Sequence, residues 1–464
     1  MSHTSELADF AAGLRYDDIP ESARAMAKRV TLDLVGVVLP AVHYGPGRIM
    51  NDYVRTQGAG PRATVIGTDV VTAPSLAALA NGTMAADMEQ DDVHPQAGTH
   101  PSSIFVPALL GVAEDVKATG EQWITSLVVA YEVGSRLSIA MDHARLYSKG
   151  FHPTAITGTF GAAGAVATML GLDSAGVNSA IGLAGCQAAG LMTWEMEQEH
   201  FTKSFQSGVP ARNAVTAGEL AALGYQGALD TLDGKYNAFD AFSTHRDFER
   251  LTAGLGESYE IERTGFKFYS ACRNIHATLD VVLELVQEHQ FEAEDVESIH
   301  VWLPETLAPI VDNNVLTTHN LQFVVAVAIF DGEVGRAQTS AERRIDPDVQ
   351  ALASRITLRA DAELQKIFPE HWPTRVHLTL KDGRRFEVER EDPRGNAARP
   401  VTDGDIEEKF IRMASQTLPA AEVQSVLACV QKLETLSSMH ELTALLRTSS
   451  RSQTGEPSQR LARR

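Results

Sequence analysis

From Pro20 to about residue 260, apolar residues recur at intervals of three and four, the pattern of helices that each bury one face. Pro20 opens "PESARAMAKRVTLDLVGVVL" with a proline at the first turn. Thr119 and Gln122 have the spacing of a capping box ahead of "WITSLVVAYEVGSRLSIAM". Asp173 or Ser174 starts "AGVNSAIGLAGCQAAGLM", and "ARNAVTAGELAALGYQG" runs to Gly224, a helix-ending residue. Alanine and glycine are dense throughout, so neighbouring helices are expected to approach closely.

Near residue 262 the period changes from three-and-four to two. "VESIHVWLP" (296–304), "SRITLRAD" (354–361) and "TRVHLTLKDGRRFEVER" (374–390) alternate apolar and polar, and "KDGR" has the Asp-Gly signature of a hairpin turn. "LQFVVAVAIFDGEVG" between the first two predicted strands reads as a helix. From Thr402 the helical period returns in "DGDIEEKFIRMA" and "AEVQSVLACVQKLETL". The fold class is therefore mainly α. An all-helical domain (1–262, completed by 402–446) carries a smaller α+β domain with an antiparallel sheet (263–401). Residues 447–464, polar and basic, read as a disordered tail.

At 464 residues, two domains are the default expectation. A formal net charge of −20 argues against nucleic acid and anionic membrane, both of which need a cationic face. The longest apolar run noted, "LVGVVLPAV" (34–42), has roughly half the length of a membrane span. Cys186, Cys272 and Cys429 lie far apart with no CxxC, which fits neither a disulfide framework nor a zinc ribbon. "MSHTSELADF" lacks a charged-then-apolar leader, so a cytoplasmic location is expected.

The densest chemistry lies in "EQDDVHPQAGTHPSS" (89–103). Glu89, Asp91, Asp92, His94 and His100 include the residue types of a metal cage. Adjacent aspartates cannot share one helical face, however, and no i,i+4 pair is present, so no metal is expected. The acid/base reading fits better. Pro101 starts a helix with Ser102 and Ser103 in its first turn, which puts His100 at its N-terminal end. The positive end of that helix dipole favours a neutral imidazole able to act as a base. The alternative is a histidine that only caps the helix. "KGFHPTAITG" repeats the device at His152. The glycines of "GTFGAAG" (158–164) do not make GxGxxG and follow no strand, so close helix packing is expected there, with no nucleotide. Lys203 and Lys267 sit among apolar and small residues, and Lys267 is close in sequence to Cys272, Arg273 and His276. Fixed cations of this kind suit a di- or tricarboxylate, with Arg273 offering bidentate pairing.

Taken together, "NGTMAADMEQDDVH", "HPSS" followed by "VPALL", "GFHPTAITGTFGAAGAVATMLGL", "KSFQSGVPARNAVTAGELAALGYQG" and "KFYSACRNIH" resemble the MmgE/PrpD family over roughly residues 5–440. The resemblance implies a large helical domain, a smaller lid domain and a cleft between them that binds small polycarboxylates, in a homodimer that needs no cofactor. By motif position, the family's site histidines fall on His100 and His152 and its site lysines on Lys203 and Lys267. The chain departs from the family's NGxxxHxxDxDDT at Ala86, Glu89 and Val93, and has Gln206 where a histidine is common. Cys272 stands where cis-aconitate decarboxylases tend to have a second-domain histidine, which points away from decarboxylation.

The activity expected on this basis is that of a cofactor-independent lyase. Its foremost form is a hydro-lyase dehydrating a 2-methylcitrate-like hydroxy tricarboxylate. Lys203, Lys267 and Arg273 would hold carboxylates, and His100 and His152 would exchange protons. Glu89 or Asp92 would orient an imidazole, and Gln206, Cys272 and His276 would complete the substrate site. The alternatives are epimerisation or decarboxylation of an iminodisuccinate- or cis-aconitate-like acid, and a family member that binds carboxylates without turning them over.

Overall fold

The structure, a computed structural model, describes residues 2–448 apart from 58, 59 and 61. The expected basic tail therefore lies outside the described residues from 449 onward. Its first two residues are held: Arg447 pairs with Glu114 at 2.6 Å, and Thr448 bonds the backbone at Gly67 and Thr68.

Seven helices frame the first domain: α1 (Glu21–Ala41), α2 (Pro74–Asp87), α3 (Ser102–Val116), α4 (Gly120–Met141), α5 (Pro153–Met169), α6 (Ser174–Gly185) and α7 (Thr202–Ala222). Local chemistry fixes their starts. Thr119 and Gln122 close the capping box at α4, and the Asp173 carboxylate accepts the Gly176 N–H at α6. Helix α6 stops at Gly185, earlier than the apolar pattern implied, because the chain must turn to reach the site. A short antiparallel hairpin, Ala63–Thr64 with Val71–Thr72, was not evident from the periodicity. Helix α4 is long and apolar enough to cross a membrane, unlike the run at 34–42, but 94% of its apolar window is buried and it packs as a core helix.

Two glycine contacts set the helix spacing. A Cβ on Gly208 of α7 would lie 2.3 Å from the Leu79 carbonyl of α2, and one on Gly161 of α5 would lie 2.7 Å from the Cα of Gly134 of α4. The "GTFGAAG" glycines thus serve close packing.

The smaller domain contains α8 (His276–His289), β1 (Val296–Pro304), α9 (Leu321–Asp331), β2 (Ile356–Asp361), β3 (Thr374–Leu380) and β4 (Arg385–Arg390). The sheet order is β2-β1-β3-β4. β1 and β3 pair antiparallel (Val301 opposite Val376), as do β3 and β4. β2 lies parallel to β1, with Ile356 opposite Ile299, so the sheet is mixed. The reason is the intervening α9: a helical crossover returns the chain in the same direction. α10 (Asp403–Ala414) and α11 (Ala420–Gln431) then rejoin the helical domain.

Two apolar cores result. One gathers residues from Leu7 to Phe266 and from Val401 to Leu446; the other runs from Ala271 to Leu380. The segment at 266–271 joins them, and the site lies beside it. Gly208→Val is expected to lower stability by about 2 kcal/mol or more, because α2 and α7 would have to separate. Thermal unfolding measures this, and an unchanged midpoint would contradict the packing.

Candidate functional site

Four loops that end at helix starts converge on one cavity. The 88–101 loop precedes α3, 142–152 precedes α5, 186–201 precedes α7, and 264–275 precedes α8. Backbone bridges tie them in pairs. Val93 and Gly265 exchange N–H···O bonds of 2.8 and 2.7 Å, and the His152 N–H donates to the Gly190 carbonyl at 3.0 Å. The smaller domain supplies the other side. The cavity holds about 600 Å³ and is lined in part by Glu89, His100, His152, Lys203, Cys272 and Arg273.

Glu89 is the electrostatic centre. Its backbone is left-handed (φ 52°), a costly conformation away from glycine that recurs at functional sites. Its carboxylate lies 2.5 Å from Lys203 Nζ, 3.3 Å from Lys267 Nζ and 3.3 Å from His200 Nδ1. Burial alone would raise its pKa, but the two lysines outweigh burial and hold it well below the usual range. Lys267 is fully buried and also pairs with Asp91 at 3.0 Å. Burial would lower the pKa of that ammonium; Asp91 and Glu89 prevail and raise it.

The two histidines of the His-Pro motifs share one tautomer. His100 Nδ1 is 2.9 Å from the Asp92 carbonyl and must donate to it, which leaves the lone pair on Nε2. His152 Nδ1 lies 3.1 Å from Gln206 Oε1, whose amide nitrogen donates to the Leu191 carbonyl, so His152 also keeps its lone pair on Nε2. Burial, reinforced by Lys267, pushes the pKa of His100 down to about 4. Burial and Lys203 push that of His152 down to about 3. Both rings are neutral at pH 7.

The structure gives some of the expected residues other places. His100 stands one residue before the position that caps α3, and Pro101 occupies that position. The helix-capping carboxylate is Asp92, which accepts the Ser102 N–H at 2.9 Å and the Tyr131 hydroxyl. Asp92 therefore meets His100 through its backbone carbonyl, and its side chain orients no imidazole. Burial raises the Asp92 pKa to about 7. Lys267, Gln206 and His276 lie behind the cavity wall. Gln206 orients His152. His276 donates from Nε2 to the Ala271 carbonyl and faces Arg273 at 3.4 Å. Arg273 spends much of its guanidinium on Asn396 and the Phe266 carbonyl. Burial pushes the Cys272 thiol up to about 11, so it remains protonated.

Several groups of the site have no sequence signal. His319 lines the cavity, and its Nδ1 lies 3.1 Å from the Thr318 hydroxyl, which also meets His200. Trp194 has its ring centre 5.5 Å from those of His152 and His319, with Lys203 Nζ above it at 5.4 Å. The Arg273 Nε–H and the indole N–H groups of Trp194 and Trp372 are buried without an acceptor among the described residues. No cluster of three or more histidine, cysteine or acidic side chains suited to a metal occurs among the described residues.

The fold has a helical core and a smaller α+β core, with a cavity lined by imidazole, carboxylate and ammonium groups where they meet. Residues 5–251 match the MmgE/PrpD N-terminal domain and residues 269–435 the MmgE/PrpD C-terminal domain, so the chain belongs to the MmgE/PrpD family. A cis-aconitate decarboxylase-like protein of Aspergillus oryzae is 28% identical, covering 96% of this chain and 97% of its own length. The cis-aconitate decarboxylases of Homo sapiens (28% identical, 96% and 95% covered) and Mus musculus (27%, 96% and 93%) are similar over the same span.

The neutral imidazoles make acid stability predictable. Below about pH 6.5 the unfolded chain takes up protons that folded His152 and His100 refuse, so stability falls as pH drops from about 6.5 toward 4. His152→Gln removes one such group, and its stability should fall less steeply over that window than that of the wild type. Thermal unfolding across the pH series measures the difference; equal slopes would contradict a buried neutral His152.

Proposed function

We propose that the protein is a lyase that decarboxylates a cis-aconitate-like unsaturated tricarboxylate without a cofactor. The observation that carries this proposal is the joint presence of two neutral imidazoles and an ammonium lining one cavity, in a chain whose full-length relatives carry the decarboxylase name. The hydro-lyase expectation gives way here. The relatives support carbon–carbon over carbon–oxygen cleavage.

Lys203 and Arg273, both on the cavity lining, hold the carboxylates that stay on the product. One carboxylate leaves as CO2, its bonding pair shifts across the adjacent double bond, and a proton is delivered to the far carbon. The reaction consumes one proton. A bound polyanion raises the pKa of the imidazoles beside it, so His100 or His152 acquires that proton as substrate binds. Lys203 stabilises the negative charge that develops. Cys272, as a thiol, takes no part in the transfer. A homodimer, which the family resemblance implies, is in keeping with the exposed apolar side chains Met196, Phe201 and Phe205.

The test is a product assay on cis-aconitate, 2-methylcitrate and iminodisuccinate in D2O. Release of CO2 with one deuterium in the product is expected, and His100→Ala and His152→Ala should each lower kcat by about 10²- to 10⁴-fold. Loss of water with all carbons retained would restore the hydro-lyase. Deuterium exchange alone would indicate an epimerase, and thermal stabilisation without turnover a binding protein.

A further inference from the structure

The cavity is larger than a six-carbon acid requires, and part of its lining is apolar. A volume of about 600 Å³ corresponds to roughly twenty waters at about 30 Å³ each. A six-carbon tricarboxylate would fill on the order of a quarter of it. The groups able to handle carboxylates and protons are His100, His152 and Lys203 of the helical domain, Arg273 at the seam and His319 from the lid. Besides the polar residues Asn274, Glu305, Thr306 and His319, the lid lines its side with an apolar set, Leu307, Pro309, Ile310, Phe368 and Trp372.

This apolar wall is built, not incidental. Phe368 and Trp372 pack edge to face with ring centres 5.4 Å apart. The Gln365 side chain accepts from the Thr306 N–H at 2.9 Å and from its hydroxyl at 3.0 Å, fixing the 305–310 loop against the segment that leads to Phe368. Leu307 and Trp372 are buried within the protein even though both line the cavity. A third or fourth carboxylate placed against such a wall would lose its hydration with little in return. A hydrocarbon chain would gain from the same surface.

We infer that the substrate is a polycarboxylate bearing an unbranched alkyl substituent of several carbons, with its carboxylates at the His100–His152–Lys203 end and its chain against Leu307, Ile310, Phe368 and Trp372. This deepens the proposed decarboxylation and rests on it for the identity of the polar head; the apolar subsite itself stands on the lid geometry.

Binding separates the two. Calorimetry of the full-length protein with 2-alkylsuccinates, from methyl to hexyl, reads the tail subsite without turnover. Kd should fall about fourfold for each methylene buried, the fold-change equivalent to about 0.8 kcal/mol. Ile310→Asp, which puts a charge on the apolar wall, should flatten that dependence. A Kd that is constant or rises with chain length in the wild type, or no binding at any length, would overturn the inference. If unsubstituted cis-aconitate is decarboxylated but chain length adds nothing, the inference fails and the decarboxylase survives. If affinity climbs with chain length but no polycarboxylate, alkylated or not, releases CO2, the decarboxylase fails and the apolar subsite stands.

Discussion

A carboxylate with almost no access to water must be paired, and Glu89 is paired with two ammonium groups from distant parts of the chain. Lys203 comes from the first turn of α7, and Lys267 from the segment that links the two cores. Removing any one of the three would leave charge buried without compensation, so the loops that carry them are held together. Asp91 completes the balance by taking the second side of Lys267. Behind it, Lys409 of α10 pairs with Asp33 of α1 at 2.6 Å and donates to the Gln90 carbonyl at 2.8 Å. The returning C-terminal helix thereby braces the strained residue that carries the central carboxylate.

This arrangement determines the protonation of the cavity. With the lysines charged and partly neutralised, the imidazoles beside them gain nothing from a proton and stay neutral. Their Nδ1 atoms are committed to a carbonyl and an amide oxygen, so both present Nε2 lone pairs. The site is poised to accept a proton together with an anion. That coupling suits a reaction in which a carboxylate is lost as a neutral gas and a proton takes its place on the product.

Much of the fold was legible because local rules decide it. The Thr119–Gln122 capping box, the proline at the start of α5 after His152, the Asp-Gly turn at 382–383 and the period-two strands need no tertiary partner to be recognised. The parallel pairing of β2 was missed, although the helix between it and β1 carried the information. At the site, His100, His152, Lys203 and Glu89 stood out by helix-start and motif context. His200, His319 and Trp194 did not, since they lie in irregular segments placed by tertiary contacts such as the Thr317 N–H to the Gln198 carbonyl and the Cys272 N–H to the Thr318 carbonyl. Asp92 was expected to orient an imidazole and Gln206 to meet the substrate, yet Asp92 caps α3 and Gln206 contacts His152. Residue type alone does not distinguish a side chain lining a cavity from one supporting its neighbour.

The neutrality of the cavity is open to direct measurement. Tricarballylate is a saturated tricarboxylate that cannot undergo the reaction and is fully ionised at about pH 7.5. Its binding, followed by calorimetry in buffers of different ionisation enthalpy, counts the protons exchanged on association. Uptake of about one proton per site, abolished in the double variant His100→Gln, His152→Gln, is the result predicted here. Binding with no proton uptake, or with proton release, would show that the imidazoles are already charged or do not meet the anion, and would contradict this account of the site.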